Sequence, residues 1–308
     1  MRVPPRSGPV SVALARLLFV LVAATASSGL VGCGRPEFDG TSSYAYVEKQ
    51  CSLGPRHPGG EGHAKMLRWL VDTLEPMADV VAVQSFTATM WETTDVELTN
   101  VIASFRTDAR ERVLLGAHWD TRAIAERDPD PEARGLPIPG ANDGASGVAV
   151  LLELARTMAE TPPRVGVDLV FFDGEDGGKG GGFPDFCLGS AYYARHMGDY
   201  CPSYAVVIDM IGDRDLDVPV EPNSRASSPE VVERVWRAAE KAGASSFSRL
   251  TGTPVYDDHV HLIRVGVPTA LVIDFDYDYW HTHQDTPDKV SPESLQEIGL
   301  VLLELVYD

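Results

Sequence analysis

The sequence predicts an α/β protein with three layers, αβα, around a central, twisted, mostly parallel mixed sheet. Three observations carry that expectation. Continuous apolar runs of strand length alternate with amphipathic helical stretches, the pattern of parallel strands covered on both faces. Several of those runs lead into acidic or histidine motifs, as in VLLGAHWD, LVFFDGED and YAVVIDM. In an open α/β sheet such strand ends face one crevice, where ligands bind. No linker composition interrupts residues 42–308, so they are expected to form a single domain.

Each element has its own signal. A helix is expected from about Ser43 to Leu53, broken by Gly54-Pro55-Arg56-His57-Pro58-Gly59. A second follows near Gly62–Leu74, with Met66, Leu67, Leu70 and Leu74 on one face. VVAVQSFTA and VELTNVIASF are β-branched, partly alternating, and pair plausibly as a hairpin. RVLLGAH reads as a buried strand. The polar stretch Thr121–Asn142 is a loop long enough to imply a functional role. Gly144–Glu160 reads as a helix, with Val148, Leu151, Leu152 and Ala155 at helical spacing. VDLVFFD is a strand, Ser190–Met197 helical, YAVVIDMIG a strand, Pro229–Ala242 a helix and VPTALVIDF the last strand. Ser291-Pro292-Glu293 opens a closing helix that runs to Val306, with proline at its first position.

The formal net charge is -19. That balance argues against nucleic acid, which needs clustered Lys and Arg, and against docking on anionic lipid. It suits plain solubility, or a site that attracts cations or a substrate ammonium group. Residues 1–32 read as a targeting segment. Arg2, Arg6 and Arg16 precede or open the run LLFVLVAATA, which is too short and broken to span a bilayer. The segment ends Leu30-Val31-Gly32-Cys33, which resembles the bacterial lipoprotein cleavage box. The resemblance implies cleavage before Cys33, a lipid on its thiol and residence in the cell envelope. An ordinary signal with a secreted or periplasmic product is the alternative. Residues 33–41 then read as a tether. Of the remaining cysteines, Cys187 and Cys201 flank a short helical stretch and could pair in an oxidising compartment, as geometry allows. Cys51 reads as a buried core cysteine.

The chemistry-bearing residues fall at successive strand ends. Asp143 sits in GANDGASG just before a helix, where Asn142 or Asp143 could instead be a cap. Glu175-Asp176 follows a strand. Adjacent carboxylates there point different ways, so one can ligate metal while the other moves protons; a solvated acidic turn is the plainer alternative. Asp209 ends an apolar strand, where a carboxylate must be paired or metal-bound. His118 and Asp120 flank Trp119, and His281 sits in YWHTHQDT. Together they suggest a zinc site with an acid/base beside it. His57, His63 and His196 read as capping or surface residues, His261 and His283 as bystanders. Gly177–Gly182, with Lys179, lacks phosphate-loop and dinucleotide spacing and reads as a flexible lid. No Gly-x-Ser-x-Gly elbow is present, which disfavours a serine hydrolase.

GAHWDT, GANDGASGVAVLLELAR, FFDGED, IDMIGD and WHTHQDT resemble the zinc aminopeptidase fold of the M28 peptidases, over nearly all of residues 44–308. Within them the chain is most similar to glutaminyl cyclases of the animal-like type and their bacterial relatives. GPRHPGGEGH, the DPDP loop, Tyr256-Asp257-Asp258-His259 and Trp280 directly before His281 carry that narrower likeness. It implies cyclisation of N-terminal glutamine on peptides or proteins, with one zinc ion on Asp143, Asp176 and His281; the chain is expected to act as a monomer. It also implies Glu175 as general acid/base, Asp209 and Asp257 near the substrate amine and leaving group, and the Trp280 indole N–H at the substrate carbonyl. The two-metal aminopeptidases would add a second ion on His118 and Asp209, with Asp143 bridging. Two departures stand out. The aromatic that cyclases place after the acidic pair would have to be Phe183 or Phe186, and Asp176 stands where many relatives have Glu.

Overall fold

The computed structural model describes residues 36–90, 93–178 and 185–308. The leader, Cys33, Phe183 and most of the glycine-rich loop lie outside those residues. Among them a six-stranded sheet runs in the spatial order β1 (Val80–Met90), β2 (Thr93–Phe105), β4 (Gly166–Phe172), β3 (Arg112–His118), β5 (Tyr204–Asp209), β8 (Thr269–Ile273). The four strands β4, β3, β5 and β8 are parallel, while β2 is antiparallel to both β1 and β4, so the sheet is mixed. The expected αβα class holds.

Alternation along the parallel strands builds a core on each face. Val113, Leu115 and Ala117 of β3 join Val206, Ile208, Ala270 and Val272 in one cluster. Leu114, Ala205, Val207, Leu271 and Ile273 point the other way into a second. The first face is covered by α1 (Gly40–Ser52), α3 (Ala145–Glu160), α6 (Pro229–Ala242) and α8 (Pro292–Tyr307), the second by α4 (Leu188–Arg195) and α7 (His259–Arg264). Helix α2 (Glu61–Leu74) adds Met66, Leu70 and Leu74 to the first cluster. Gly147 in the first turn of α3 has a packing reason. A Cβ there would lie 2.9 Å from both Ala117 Cβ and Ile208 O, so glycine lets the helix start directly against β3 and β5.

Two boundaries move. Helix α1 starts at Gly40, because Asp39 accepts from the N–H groups of Thr41 and Ser42 as its N-cap. Phe38 is buried against Gly299. Residues 38 and 39 therefore pack with the folded body, not with the tether expected to run to 41. Four short elements have no counterpart in the sequence reading: α5 (Pro222–Ser227), α7 and the two-stranded ribbon of β6 (Val218–Val220) with β7 (Phe247–Thr251). Each spans six residues or fewer, too short to establish a period. No helix among the described residues is long and apolar enough to cross a membrane.

Candidate metal centre

Because β3, β4, β5 and β8 are parallel, their C-terminal ends share one edge. His118 pairs in register with Phe172, and Asp209 with Ile273. That brings Asp209, at the end of β5, together with the loops carrying Asp120 and Glu175-Asp176, and with Asp143 just before α3. His281 arrives from the loop after β8. Cys187, Met210 and His281 around this edge all take positive φ (55°, 47° and 58°), a conformation that side chains disfavour and that concentrates at functional sites.

Two buried triads of potential ligand atoms share Asp143, and within each the atoms lie no more than 4.8 Å apart. In the first, His281 Nε2 is 3.3 Å from Asp176 Oδ1 and 3.8 Å from Asp143 Oδ2. In the second, His118 Nε2 is 3.1 Å from Asp209 Oδ1 and 3.2 Å from Asp143 Oδ1. Asp176 Oδ2 is buried with no hydrogen-bond partner among the described residues. An orphaned buried carboxylate oxygen beside an imidazole and a second carboxylate fits a divalent cation. The electrostatics agree. Burial alone would push His281 down, but Asp176, Glu126 and Asp143 outweigh it and hold the imidazole up at about 9. Burial also opposes the charge on His118, yet Asp209, Asp120 and Asp143 raise it well above the usual imidazole range. Each histidine sits in a field built for a positive charge.

The supports behind the candidate ligands were mostly invisible in the sequence. Glu126 Oε1 lies 2.7 Å from His281 Nδ1, leaving Nε2 for the triad. Arg122, buried, donates to Asp176 Oδ1 and to the Asp176 carbonyl, both at 3.1 Å. Asp285 accepts from the N–H groups of Asn142 at 2.8 Å and Asp143 at 3.2 Å and from the Tyr277 hydroxyl at 2.8 Å. Asp120 accepts from the N–H groups of Glu175 at 3.0 Å and Asp176 at 3.3 Å. Arg56, also buried, donates to the carbonyls of Trp119, Pro139 and Gly140 and thereby ties the long loop to β3. Glu126 and Arg122 both come from the loop 121–142. Neither Asn142 nor Asp143 caps α3. The Asn142 amide oxygen instead accepts from Gly212 N–H at 2.7 Å.

A cavity of about 260 Å³ opens on the first triad. Asp143, Asp176 and His281 line it together with Glu175, Asp209, Asp257, Phe186, Phe275 and Trp280. A larger groove of about 600 Å³ lies beside it, touching Asp176 but none of the other expected site residues. The smaller cavity is the one with convergent chemistry. Glu175 and Asp176 do point apart: Asp176 faces Arg122 and His281, whereas Glu175 Oε1 takes the Cys187 thiol. Burial first, and then Asp257, Asp176 and Asp258, push Glu175 well above the carboxylate range, against the pull of His118. Burial and Asp209 raise Asp257 to about 7. A carboxyl whose proton affinity is raised by burial and neighbouring carboxylates suits proton transfer.

The model of peptidase family M28 matches residues 100–306. The chain belongs to that family. The glutaminyl cyclase of Bacteroides thetaiotaomicron superposes with a TM-score of 0.86 at 33% identity, covering 89% of this chain and 99% of its own. A Zn-dependent exopeptidase from Parabacteroides distasonis gives 0.86 and 34%, covering 89% and 100%. The glutaminyl-peptide cyclotransferase of Boiga irregularis is 25% identical over 243 residues, 68% of this chain and 65% of the relative. In other curated matches the M28 chain spans only 38% and 40% of the relative.

Several sequence readings are corrected on this M28 scaffold. His63 is neither a cap nor a surface residue. It is buried, stacks on Trp119 at 4.3 Å and contacts Asp173 at 2.9 Å. Cys187 and Cys201 are both free: Cys201 is exposed while Cys187 is buried on Glu175. Cys51 is only partly buried at the edge of the core, and burial raises its thiol to about 11. His261 and His283 stay bystanders as expected: His261 contacts the Tyr256 hydroxyl, His283 contacts Asp128, and neither joins a triad. Phe186 supplies an aromatic wall, packed beside Arg122 at 5.4 Å.

Proposed function

We propose that the chain is a zinc-dependent glutaminyl-peptide cyclotransferase, which converts N-terminal glutamine to pyroglutamate and releases ammonia. One observation carries this reading: Glu175, Asp257 and Trp280 line the same cavity as Asp143, Asp176 and His281. Asp143, Asp176 and His281 would hold one zinc ion, whose contribution is to polarise the side-chain amide carbonyl as a Lewis acid. Glu175 takes a proton from the α-amine as its nitrogen bonds to the amide carbon, then delivers it to the nitrogen that leaves as ammonia. Asp209 and Asp257 hold the amine and the leaving group by hydrogen bonds. The Trp280 indole N–H donates to the carbonyl oxygen as charge builds there. Phe186 and Phe275 wall the side chain. The reaction is intramolecular, so a folded-back pose held by these groups supplies much of the acceleration.

The second triad favours one rival, a two-zinc aminopeptidase with His118 and Asp209 as added ligands and Glu175 activating water. A single assay separates the two readings. Purified, zinc-loaded protein is incubated with a Gln-initiated peptide and followed by mass. Loss of one ammonia supports the cyclase, and loss of the whole first residue supports the peptidase. Glu175→Gln should keep its zinc and lose about 10²- to 10⁴-fold in rate; a wild-type rate would overturn the acid/base role.

In the same reading residues 1–32 are a lipoprotein-type signal, Cys33 carries the lipid, and the folded body beyond a short tether is a single monomeric catalytic domain in the cell envelope. Metabolic labelling with a fatty acid, lost in Cys33→Ala, tests the anchor.

A further inference from the structure

We infer that Cys187 is a positioning residue for Glu175, its thiol holding one carboxyl oxygen so that the other is presented to the cavity. The inference rests on the acid/base reading of Glu175. Cys187 Sγ donates to Glu175 Oε1 at 3.1 Å, and among the described residues no other hydrogen bond reaches that carboxyl. The last torsion of a glutamate side chain is broad, so this one contact selects its rotation. The backbone that carries the thiol is held on both sides. Cys187 N–H donates to the Glu175 carbonyl at 2.9 Å and Leu188 N–H to the Gly174 carbonyl at 3.0 Å, which closes the base of the intervening loop. The Cys187 carbonyl accepts from Ala191 N–H at 3.0 Å and from Ser190 Oγ at 3.1 Å, tying it to α4. These bonds hold Cys187 at φ 55°, where the chain turns from the loop into the helix.

A buried, unpaired cysteine is ordinarily inert packing, and alanine or serine would fill nearly the same space. What alanine lacks is the donor. No bond forms or breaks at sulfur in this role, and Cys187 does not line the cavity.

The test is kinetic. Ammonia release from a Gln-initiated peptide and zinc content are measured for Cys187→Ala, Cys187→Ser and Glu175→Gln, and for Cys187→Ala combined with Glu175→Gln. Cys187→Ala should lower kcat about 10-fold, the size of one hydrogen bond lost at the barrier, with KM and zinc unchanged. Cys187→Ser, which keeps a donor, should recover most of that loss. Cys187→Ala should add nothing in the Glu175→Gln background. Wild-type kcat in Cys187→Ala, an equal fall in Cys187→Ser, or a further fall in the double variant would each overturn the inference. If Glu175→Gln alone runs at wild-type rate, it is the acid/base reading that has failed. Should Cys187→Ala not fold, the infrared S–H stretch of the intact protein decides. A band removed by Cys187→Ser should shift in Glu175→Gln, and a band that stays put would refute the contact.

Discussion

The two triads share Asp143 yet differ in what stands behind their histidines. His281 has Glu126 at 2.7 Å on its far nitrogen. His118 has only Asp120, at 3.5 Å, facing its Nδ1, and that nitrogen makes no hydrogen bond among the described residues. The first triad is backed by Arg122 on Asp176 and opens on the cavity; His118 does not reach the cavity at all. A metal-binding imidazole needs its second nitrogen engaged to fix tautomer and ring orientation. The same side-chain chemistry is therefore better prepared for an ion at His281, whereas at His118 it reads better as a hub joining Asp143 and Asp209. Ligand identity alone, which is all a sequence offers, makes the two triads look equal.

Asp143→Ala strikes both triads and should have the largest effect, abolishing tight zinc binding and reducing ammonia release to background. A variant that keeps one equivalent of zinc and measurable turnover would show that the shared carboxylate is dispensable. Trp280→Phe touches only the cavity of the first triad. It should retain zinc and lose about 10²-fold in kcat, the scale of one oxyanion donor. Glu126→Ala should weaken the first zinc by about 10- to 100-fold, read by competition with a chelator. His118→Ala should leave that affinity far less affected, and equal losses in Glu126→Ala and His118→Ala would erase the asymmetry.

The architecture was legible because long apolar strands and amphipathic helices announce themselves by periodicity. Most candidate site residues were legible because Asp143, Asp176 and Asp209 stand at or just beyond a strand or helix end, where an apolar run meets a charge, while His281 was marked by its WHTHQDT motif. The supports were not. Glu126 and Arg122 lie inside a polar loop crowded with other charges, and Asp285 reads as an ordinary acid in YWHTHQDT. His63 looked like a surface residue because its partner, Asp173, is 110 positions away. Long-range partners of this kind follow from the packing of α2 and the loop against the sheet, which has no local signal. Cys187 was seen only as a cysteine with a possible mate, since nothing in the chain shows that its backbone turns it toward Glu175.

The smallest effect concerns Arg127, which sharpens the contrast from the outside. Its guanidinium lies over the Trp280 ring at 4.1 Å, while the ring's neighbours on the cavity side are His281 at 4.0 Å and Phe275 at 4.9 Å. The Arg127 N–H also donates to the His281 carbonyl at 3.3 Å. One exposed residue thus steadies both the indole and the loop that carries the ligand. An exposed cation–π contact is worth about 0.5–1 kcal/mol, so Arg127→Gln should lower kcat by only about two- to fivefold. Zinc affinity should not change, because Glu126 and not Arg127 fixes the imidazole. Arg127→Lys, which keeps the charge but not the planar face, should recover part of the loss. If Arg127→Gln falls as far as Trp280→Phe, the guanidinium must reach the substrate itself, and the first triad's advantage would then include a cationic rim as well as a buried carboxylate.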